Sequence, residues 1–255
     1  MTERVVMVLC VSNTMTTRSV IRLALALTAM VAVRRIARRS GVTTSELHES
    51  LPGDDVLLQP KVEWTRATTI KAPPDRVWPW IAQMGFGRGG WYTSEAFDRI
   101  VWRIDNPSSD LILPQWQHPE VGDIIPDGPE FAAYFRVAQI DAGEAIVYRS
   151  IRHPYRGHPV NPHDASAMTC LEQDLIDGGL YLDFSWVFVL RAIEPGSTRL
   201  VVRTRASYEP RWLWLAEVPL GLVDLLHVST MFRGITSRAE DFHRQPPRIS
   251  SAGRP

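Results

Sequence analysis

The sequence has only two cysteines, Cys10 and Cys170, among its 255 residues. Two cysteines exclude a disulfide framework and argue against a cysteine-ligated zinc site. The chain also lacks net charge, with 28 Lys+Arg against 28 Asp+Glu. Because phosphate binding depends on a basic surplus, this balance argues against a nucleic-acid-binding protein. An apolar fraction of 45% over this length is enough to build a large core without disulfides or metal.

Motifs with a built-in catalytic mechanism are also missing from the chain. The sequence contains no HExxH and no CxxC pattern. The glycine-rich run Gly85–Gly90 (GFGRGG) follows a predicted helix, whereas a dinucleotide-binding loop follows a strand, so we interpret this run as a tight turn. His153, His158 and His163 lie in a proline-constrained loop, where even spacing does not predict convergence on a metal ion. We therefore predict no catalytic residue, no metal site and no cofactor.

The N-terminal residues 1–39 form a hydrophobic and basic segment. Ser19–Val33 is mostly apolar, with Arg22 as its charged residue, and arginines follow it at positions 34, 35, 38 and 39. Its uncharged run, Leu23–Val33, is shorter than the roughly 20 residues that span a bilayer. We predict an uncleaved membrane anchor or interfacial helix, because arginines and not a small-residue cleavage site follow the run. A cleaved signal peptide and a helix docked on a soluble domain are the alternatives. Arginines on this side of an anchor would keep the main domain cytoplasmic.

The rest of the chain divides into three parts by composition. Residues 40–60 are polar and contain glycine and proline, and we interpret them as a linker with a short helix capped by Thr44 or Ser45. Residues 61–245 have the size of one domain. Residues 246–255 are rich in Pro, Ser and Arg and are predicted to be a disordered tail.

Hydrophobic periodicity predicts an α+β domain within residues 61–245. Val62–Lys71 alternates in the manner of a strand, and helical spacing of apolar residues follows Pro74. Trp91–Trp102 is interpreted as a second helix, capped near Ser94. Further strands are predicted at Val121–Ile125, Phe131–Asp141, Glu144–Arg152, Met168–Ile176, Tyr181–Ala192 and Arg199–Tyr208. A long helix, Arg211–Arg244, has apolar residues at every third or fourth position and completes the domain.

The last predicted strand indicates how the sheet is used. Its small and apolar residues alternate with Arg199, Arg203 and Arg205, which predicts a curved antiparallel sheet with one face open to water. Such a sheet cannot close its concave face alone. A long helix across that face would leave a cavity between helix and sheet.

Three segments resemble motifs of one protein superfamily. Thr69–Thr93 (TIKAPPDRVWPWIAQMGFGRGGWYT) resembles the opening strand and helices of a bacterial branch of the SRPBCC superfamily, and Ser40–Pro60 and Met231–Phe242 are similar to its flanking motifs. This superfamily includes START-like, pollen-allergen-like and polyketide cyclase/dehydrase domains. The resemblance covers about residues 40–244 and implies a helix-grip fold, in which about seven antiparallel strands (order β-α-α-β6-α) wrap around the C-terminal helix. It does not specify a ligand, because members bind different apolar molecules and only some are enzymes.

We predict that the cavity of this fold binds a hydrophobic small molecule, either a lipid or a polyketide-like compound. The predicted lining residues are Trp80, Met84, Trp91, Tyr92, Phe135, Phe184, Trp186, Phe188, Leu222, Leu225 and Phe232. On the last helix, Leu222, Leu225 and Leu226 are expected to face inward, which would leave Asp224 on the outside. The alternatives are a cyclase or dehydratase that uses Asp224 and His227, and a non-catalytic, membrane-anchored interaction domain. The sequence specifies neither the ligand nor the oligomeric state.

Overall fold

Alternating sequence patterns produce a seven-stranded sheet in the part of the chain that the computed structural model describes, residues 39–105 and 107–241. The strands are β1 (Arg39–Ser40), β2 (Val62–Ile70), β3 (Ile124–Pro126), β4 (Tyr134–Asp141), β5 (Ala145–Arg152), β6 (Tyr181–Glu194) and β7 (Ser197–Glu209). Their order across the sheet is β1-β2-β7-β6-β5-β4-β3. The six strands from β2 to β3 pair antiparallel, whereas β1 adds a short parallel edge.

Helices pack on both faces of this curved sheet. They are α1 (Thr44–His48), α2 (Pro74–Ala82), α3 (Glu95–Phe97), α4 (Ala165–Asp177) and α5 (Glu217–Asp241). Tighter or looser turns occur at Asp98–Trp102 (π-helix) and at Pro114–Trp116, Pro129–Phe131 and Arg211–Ala216 (3₁₀). Helix α5 covers the inner face of the sheet, with contacts to β2 and α2. The predicted α+β helix-grip fold is therefore confirmed.

The two halves of α5 differ in how firmly they are held. Val228, Met231, Ile235 and Ala239 recur at intervals of three or four residues and are buried in the main core. Between positions 217 and 227, Gly221 is the buried residue. Because apolar burial supplies most of the free energy that holds a helix on a sheet, the C-terminal half carries most of this packing.

One predicted strand is a helix in the structure. Residues 168–176 belong to α4, whose N-terminus is capped by Asp164, since its Oδ1 accepts a hydrogen bond from Ala167 N at 2.9 Å. Met168 and Leu175 lie seven positions apart on one helical face and are both buried. The prediction of a strand was wrong because this apolar spacing has the helical period and not the alternation of a strand.

The predicted helix Trp91–Trp102 is much shorter in the structure. Tyr92 has a positive φ of 57°, so the chain is not helical there. Helix α3 begins after Ser94, whose Oγ accepts a hydrogen bond from Phe97 N, as its predicted capping role requires. A π-helical turn follows, and Arg103 ends it with a φ of 56°.

The outer face of the sheet is covered, and the expectation of a water-exposed face was wrong. Residues 40–60, interpreted as a linker, lie against this face, where Leu51 packs in a cluster with Val147, Val187 and Val201. The cap of α1 is Thr43 and not the predicted Thr44 or Ser45, because the Thr43 side chain and Glu46 form a capping box.

Arginines of the sheet bind this covering segment through its acidic groups. Arg199 Nε lies 2.6 Å from Glu46 Oε1, and Arg203 Nη1 lies 2.8 Å from Asp54 Oδ2. Arg203 also donates from Nε to Thr65 Oγ1, from Nη1 to Glu49 O and from Nη2 to Glu46 O. The polar side of the last strand is therefore an ion-paired interface within the domain.

Several predictions concern parts of the chain that lie outside the described residues. These are the anchor or interfacial helix within residues 1–39, the extension of the last helix to Arg244, and the tail 246–255.

Candidate functional site

An aromatic cluster occupies the space between the sheet and α5. Trp91, Phe135 and Trp186 form a triangle with ring centroids 5.4 to 5.6 Å apart. Phe188 lies 4.9 Å from Trp186 by the same measure. Each of these side chains is less than a tenth exposed. The rings thus fill the inner face of β4 and β6 with one another.

A tight turn places Trp91 and Tyr92 in this interior. Gly85 and Gly90 exchange two backbone hydrogen bonds of 3.2 and 3.0 Å, as expected for a turn and not for a nucleotide loop. The Tyr92 hydroxyl accepts a hydrogen bond from Gln83 Nε2 at 2.9 Å, and burial raises the Tyr92 pKa. The helix passes close to this turn at Gly234, where a Cβ atom would lie 2.1 Å from Tyr92 O. Gly234 therefore lets α5 approach the turn.

Several buried N–H donors of the core have no acceptor among the described residues, and three of them, Trp91 Nε1, Trp186 Nε1 and His227 Nε2, belong to a chain of neighbouring rings. The His227 ring lies 5.6 Å from Trp186. Trp102 Nε1, which can only donate, is 3.3 Å from His227 Nδ1. Nδ1 is consequently the acceptor, and Nε2 carries the proton of the neutral imidazole. Burial lowers the pKa of His227 to about 4, so this ring is neutral at neutral pH.

A buried ion pair lies beside these donors. Arg66 Nη2 on β2 is 2.6 Å from Asp224 Oδ2 on α5 and also donates to Gly221 O at 3.0 Å. Burial raises the pKa of Asp224 to about 6, although the positive charge of Arg66 acts in the opposite direction. A carboxyl group with this pKa can exist in both protonation states near neutral pH.

The structure brings most of the predicted lining residues to the inner face. Trp80, Met84, Trp91, Tyr92, Phe135, Trp186 and Phe188 are buried in the main core. Phe184 and Phe232 are partly buried against it, and Leu225 is partly buried on α5. Leu222 is 37% exposed and does not join them. Whether any of these residues contacts a ligand remains a prediction.

The predicted orientation of the last helix was wrong. Leu226, expected to face inward, is 56% exposed, and Asp224, expected outside, faces β2. Leucines occur on several sides of this helix, so their spacing does not identify its inner face. The sequence of β2 contains a feature that could have predicted this orientation. Arg66 lies on the same face of the strand as Trp64 and Ile70, the face that points into the core. A charge at such a position predicts a buried partner of opposite sign.

The histidine loop contains two rings in contact. His153 and His158 have ring centroids 5.5 Å apart, next to a cavity of about 10 Å³ that Tyr134, Arg152 and Leu175 help to line. That volume holds about one water molecule. Within residues 39–105 and 107–241, no group of three or more His, Cys, Asp or Glu side chains could hold a metal ion.

By length and composition, Arg211–Asp241 is long and apolar enough to cross a membrane. Its inner side, however, packs on the sheet and carries the Asp224 ion pair. Charged groups inside a bilayer are costly, and the C-terminal half of this helix is buried in the main core of the domain.

No model of a known protein family matches the sequence, and neither does any curated protein. Solved structures with a similar arrangement include Ara h 8.0201, with 10% identity, a TM-score of 0.39, and coverage of 70% of this chain and 97% of that one. A conserved protein from Geobacillus kaustophilus has 14% identity, a TM-score of 0.38, and coverage of 71% and 97%. A hypothetical protein from Helicobacter pylori has 7% identity, a TM-score of 0.40, and coverage of 78% and 99%. Similarity at this level assigns neither a family nor a function.

Proposed function

We propose that the protein binds a hydrophobic small molecule that carries a neutral hydrogen-bond acceptor, between the sheet and the N-terminal half of α5. The observation that carries this proposal is the group of three buried donors, Trp91 Nε1, Trp186 Nε1 and His227 Nε2, which have no acceptor among the described residues. Buried polar groups normally have partners, and a donor left without one costs about 1–3 kcal/mol. A ligand oxygen would supply the missing acceptor. The resemblance of residues 40–244 to SRPBCC proteins supports the same class of function.

The chemistry of the site favours a neutral ligand over an anionic one. The nearby cation, Arg66, is already 2.6 Å from Asp224, and a buried anion without its own counter-charge is costly. A ketone, ester or quinone oxygen can accept from indole and imidazole N–H groups without that cost. The apolar remainder of the ligand would gain about 0.8 kcal/mol per buried methylene group. This combination fits a lipid ester or a polyketide-like molecule.

The ligand would enter beneath the N-terminal half of α5. The rings of Trp91, Phe135 and Trp186 already contact one another, so a ligand has to displace at least one ring or separate the helix from the sheet. Displacement is easiest where the helix buries the least side-chain surface. In positions 217–227 the buried residue is Gly221, which has no side chain.

A fluorescent ketone tests this proposal with the full-length protein. Prodan is neutral and apolar, and its carbonyl oxygen is an acceptor, so it should bind with a blue-shifted emission. Trp186→Phe keeps an aromatic ring but removes the N–H group, and should weaken binding about 5- to 10-fold, the equivalent of one hydrogen bond. Trp116→Phe is the matched control, because Trp116 stacks on Arg88 outside the aromatic cluster. Absence of prodan binding, or equal weakening by both variants, would contradict the proposal.

Catalysis of the cyclase or dehydratase type is a second candidate, and the raised pKa of Asp224 is the observation that favours it. A carboxyl group with a pKa of about 6 can take a proton from the carbon beside a bound carbonyl group and return it. Prodan has such hydrogens. In D2O, an enzyme of this type should exchange them faster than solvent alone does, and Asp224→Asn should abolish the acceleration. Binding of prodan without accelerated exchange would support binding alone.

A further inference from the structure

An exposed apolar surface covers the turn 211–216 and the outer side of the N-terminal half of α5. We call it the α5 apolar surface; it consists of Trp212, Trp214, Leu215, Leu222 and Leu226, which are 37–63% exposed. Leu222 and Leu226 are four residues apart, which places them on one side of α5, and Leu215 lies in the 3₁₀ turn directly before the helix. Contiguous apolar surfaces of this kind usually contact a partner.

The described part of the chain begins at β1, at the edge of the sheet next to β2. Arg39 in β1 pairs with Thr65 of β2, and Ser40 pairs with Arg66. The Arg66 side chain donates to Gly221 O of α5. Strand β2 therefore holds the N-terminal half of α5, and β1 is the next strand of the sheet.

The direction of β1 shows from which side the preceding residues come. Since β1 is parallel to β2, the chain before Arg39 arrives from the end of the sheet where β2 begins at Val62. At that end, Leu213 of the 211–216 turn packs against the cluster of Val62 and Trp64. The chain therefore arrives at the end of the domain that carries Trp212, Trp214 and Leu215.

Residues 19–33 and the α5 apolar surface are also similar in length. As a helix, Ser19–Val33 would be about 22 Å long at 1.5 Å per residue. The α5 apolar surface extends for about 24 Å from Trp212 to Leu226, given the rises of 3₁₀- and α-helices. The connection from Val33 to Arg39 can span roughly 20 Å when extended, which is enough to place one beside the other.

We propose that residues 19–33 pack as a helix on the α5 apolar surface. The segment Leu23–Val33 has 11 residues, all apolar except Thr28; it is about half as long as a membrane span, yet long enough to cover this half of α5. The packing buries apolar residues of both partners and restrains the half of the helix that the core holds least. A bilayer is the rival occupant of the same surface. The docking does not depend on binding of a ligand.

Photo-crosslinking of the full chain tests the proposal. Leu222→benzoylphenylalanine places a photoreactive group on the α5 apolar surface at an already exposed position, and Leu226→benzoylphenylalanine provides a second site. After irradiation in detergent-free buffer, mass spectrometry should find crosslinks within residues 19–33. The matched control is Ile193→benzoylphenylalanine, because Ile193 is 50% exposed at the β6–β7 turn, at the opposite end of the sheet. It should give no crosslinks to that segment.

Two further experiments distinguish docking of residues 19–33 within one chain from docking between chains and from contact with a bilayer. In a mixture of ¹⁵N-labelled and unlabelled chains, docking within one chain gives crosslinks between peptides of the same isotope, whereas mixed-isotope crosslinks would overturn the proposal. With vesicles of phosphatidylcholine and phosphatidylglycerol, crosslinks to residues 19–33 should persist. Their replacement by lipid adducts would assign the surface to the membrane. Absence of crosslinks to residues 19–33 from both photoreactive positions would also overturn the proposal.

Discussion

Arg66 and Asp224 form an ion pair, 2.6 Å between Nη2 and Oδ2, that joins strand β2 to the N-terminal half of α5. The Arg66 side chain is 2% exposed and that of Asp224 is 17% exposed. Since few apolar residues hold this half of the helix, the ion pair is a main link between it and the sheet.

Removing one member of this pair should destabilise the fold. Arg66→Met leaves the Asp224 carboxylate without its cation, and we expect the free energy of unfolding to fall by about 3–5 kcal/mol. The double variant Arg66→Met/Asp224→Leu should recover most of this loss, because no buried charge remains unpaired. Urea denaturation measures both values. The exposed pair Glu95–Arg99 is the control, and its removal should cost less than about 1 kcal/mol. A similar cost for both pairs would show that Arg66 and Asp224 are not a buried link.

Asp224 and His227 should have opposite effects on stability in one pH range. The folded-state pKa of Asp224 is about 6 against an ordinary 3.8, so folded protein binds more protons and stability falls as the pH rises from about 4 to 6. The folded-state pKa of His227 is about 4 against 6.5, so stability rises over about pH 4 to 6.5. Because the two shifts are similar in size, their effects nearly cancel in the wild type, so Asp224→Asn should produce a rise of stability over this range and His227→Gln should produce a fall. Identical pH profiles of unfolding for the two variants would contradict these assignments.

Gly234→Ala should loosen the crossing of α5 over the Tyr92 turn. A Cβ atom at this position would lie 2.1 Å from Tyr92 O, a backbone atom that cannot rotate away. Alanine normally stabilises a helix interior by about 1 kcal/mol relative to glycine, yet here we expect a loss of about 1–3 kcal/mol. Gly128→Ala is the control, because no atom lies within 4 Å of its added Cβ. Thermal unfolding of the two variants decides the matter: an increase in Tm for Gly234→Ala would refute the close approach.

Acid should weaken the cover of the outer face through Glu46. Arg199 holds the Glu46 pKa at about 2, below its ordinary 4.5. The stabilisation by this ion pair is complete above about pH 4.5 and is lost as the pH falls towards 2. Glu46→Gln should therefore reduce the free energy of unfolding at pH 7 by about 2 kcal/mol and flatten the acid limb of the stability profile. An unchanged acid limb would mean that the contact contributes little.

Much of the fold could be predicted from the sequence, because alternation in strands and the apolar spacing of helices are local signals. Strand β2, the face of α2 with Val77 and Trp80, and the sequence of strands that ends in β7 follow from such patterns. The strand predicted at residues 168–176 was wrong because Met168 and Leu175, seven positions apart, have the spacing of a helix. Residues 40–60 could not be placed, since Glu46 and Asp54 bind arginines that are about 150 positions away in the chain.

The candidate site was harder to predict for the same reason. The orientation of α5 depends on the residues that it contacts, which are distant in the sequence. Its exposed side carries leucines, including Leu222 and Leu226, and therefore looks in the sequence like a side that faces the core. His227 and Asp224 are surrounded by Trp186, Trp102 and Arg66, which come from three distant segments. Only their assembly in three dimensions removes these groups from water and shifts their pKa values.

The hydrogen bonds of Arg203 show what an arginine can do in this fold that a lysine cannot. One guanidinium group joins β7 to β2 and to three acceptors on the covering segment. A lysine ammonium, with three donors on a single atom, cannot reach acceptors so widely separated. Where a guanidinium group joins the sheet to the covering segment in this way, replacement of arginine by lysine is therefore not conservative. Only two of the 28 basic residues of this chain are lysines.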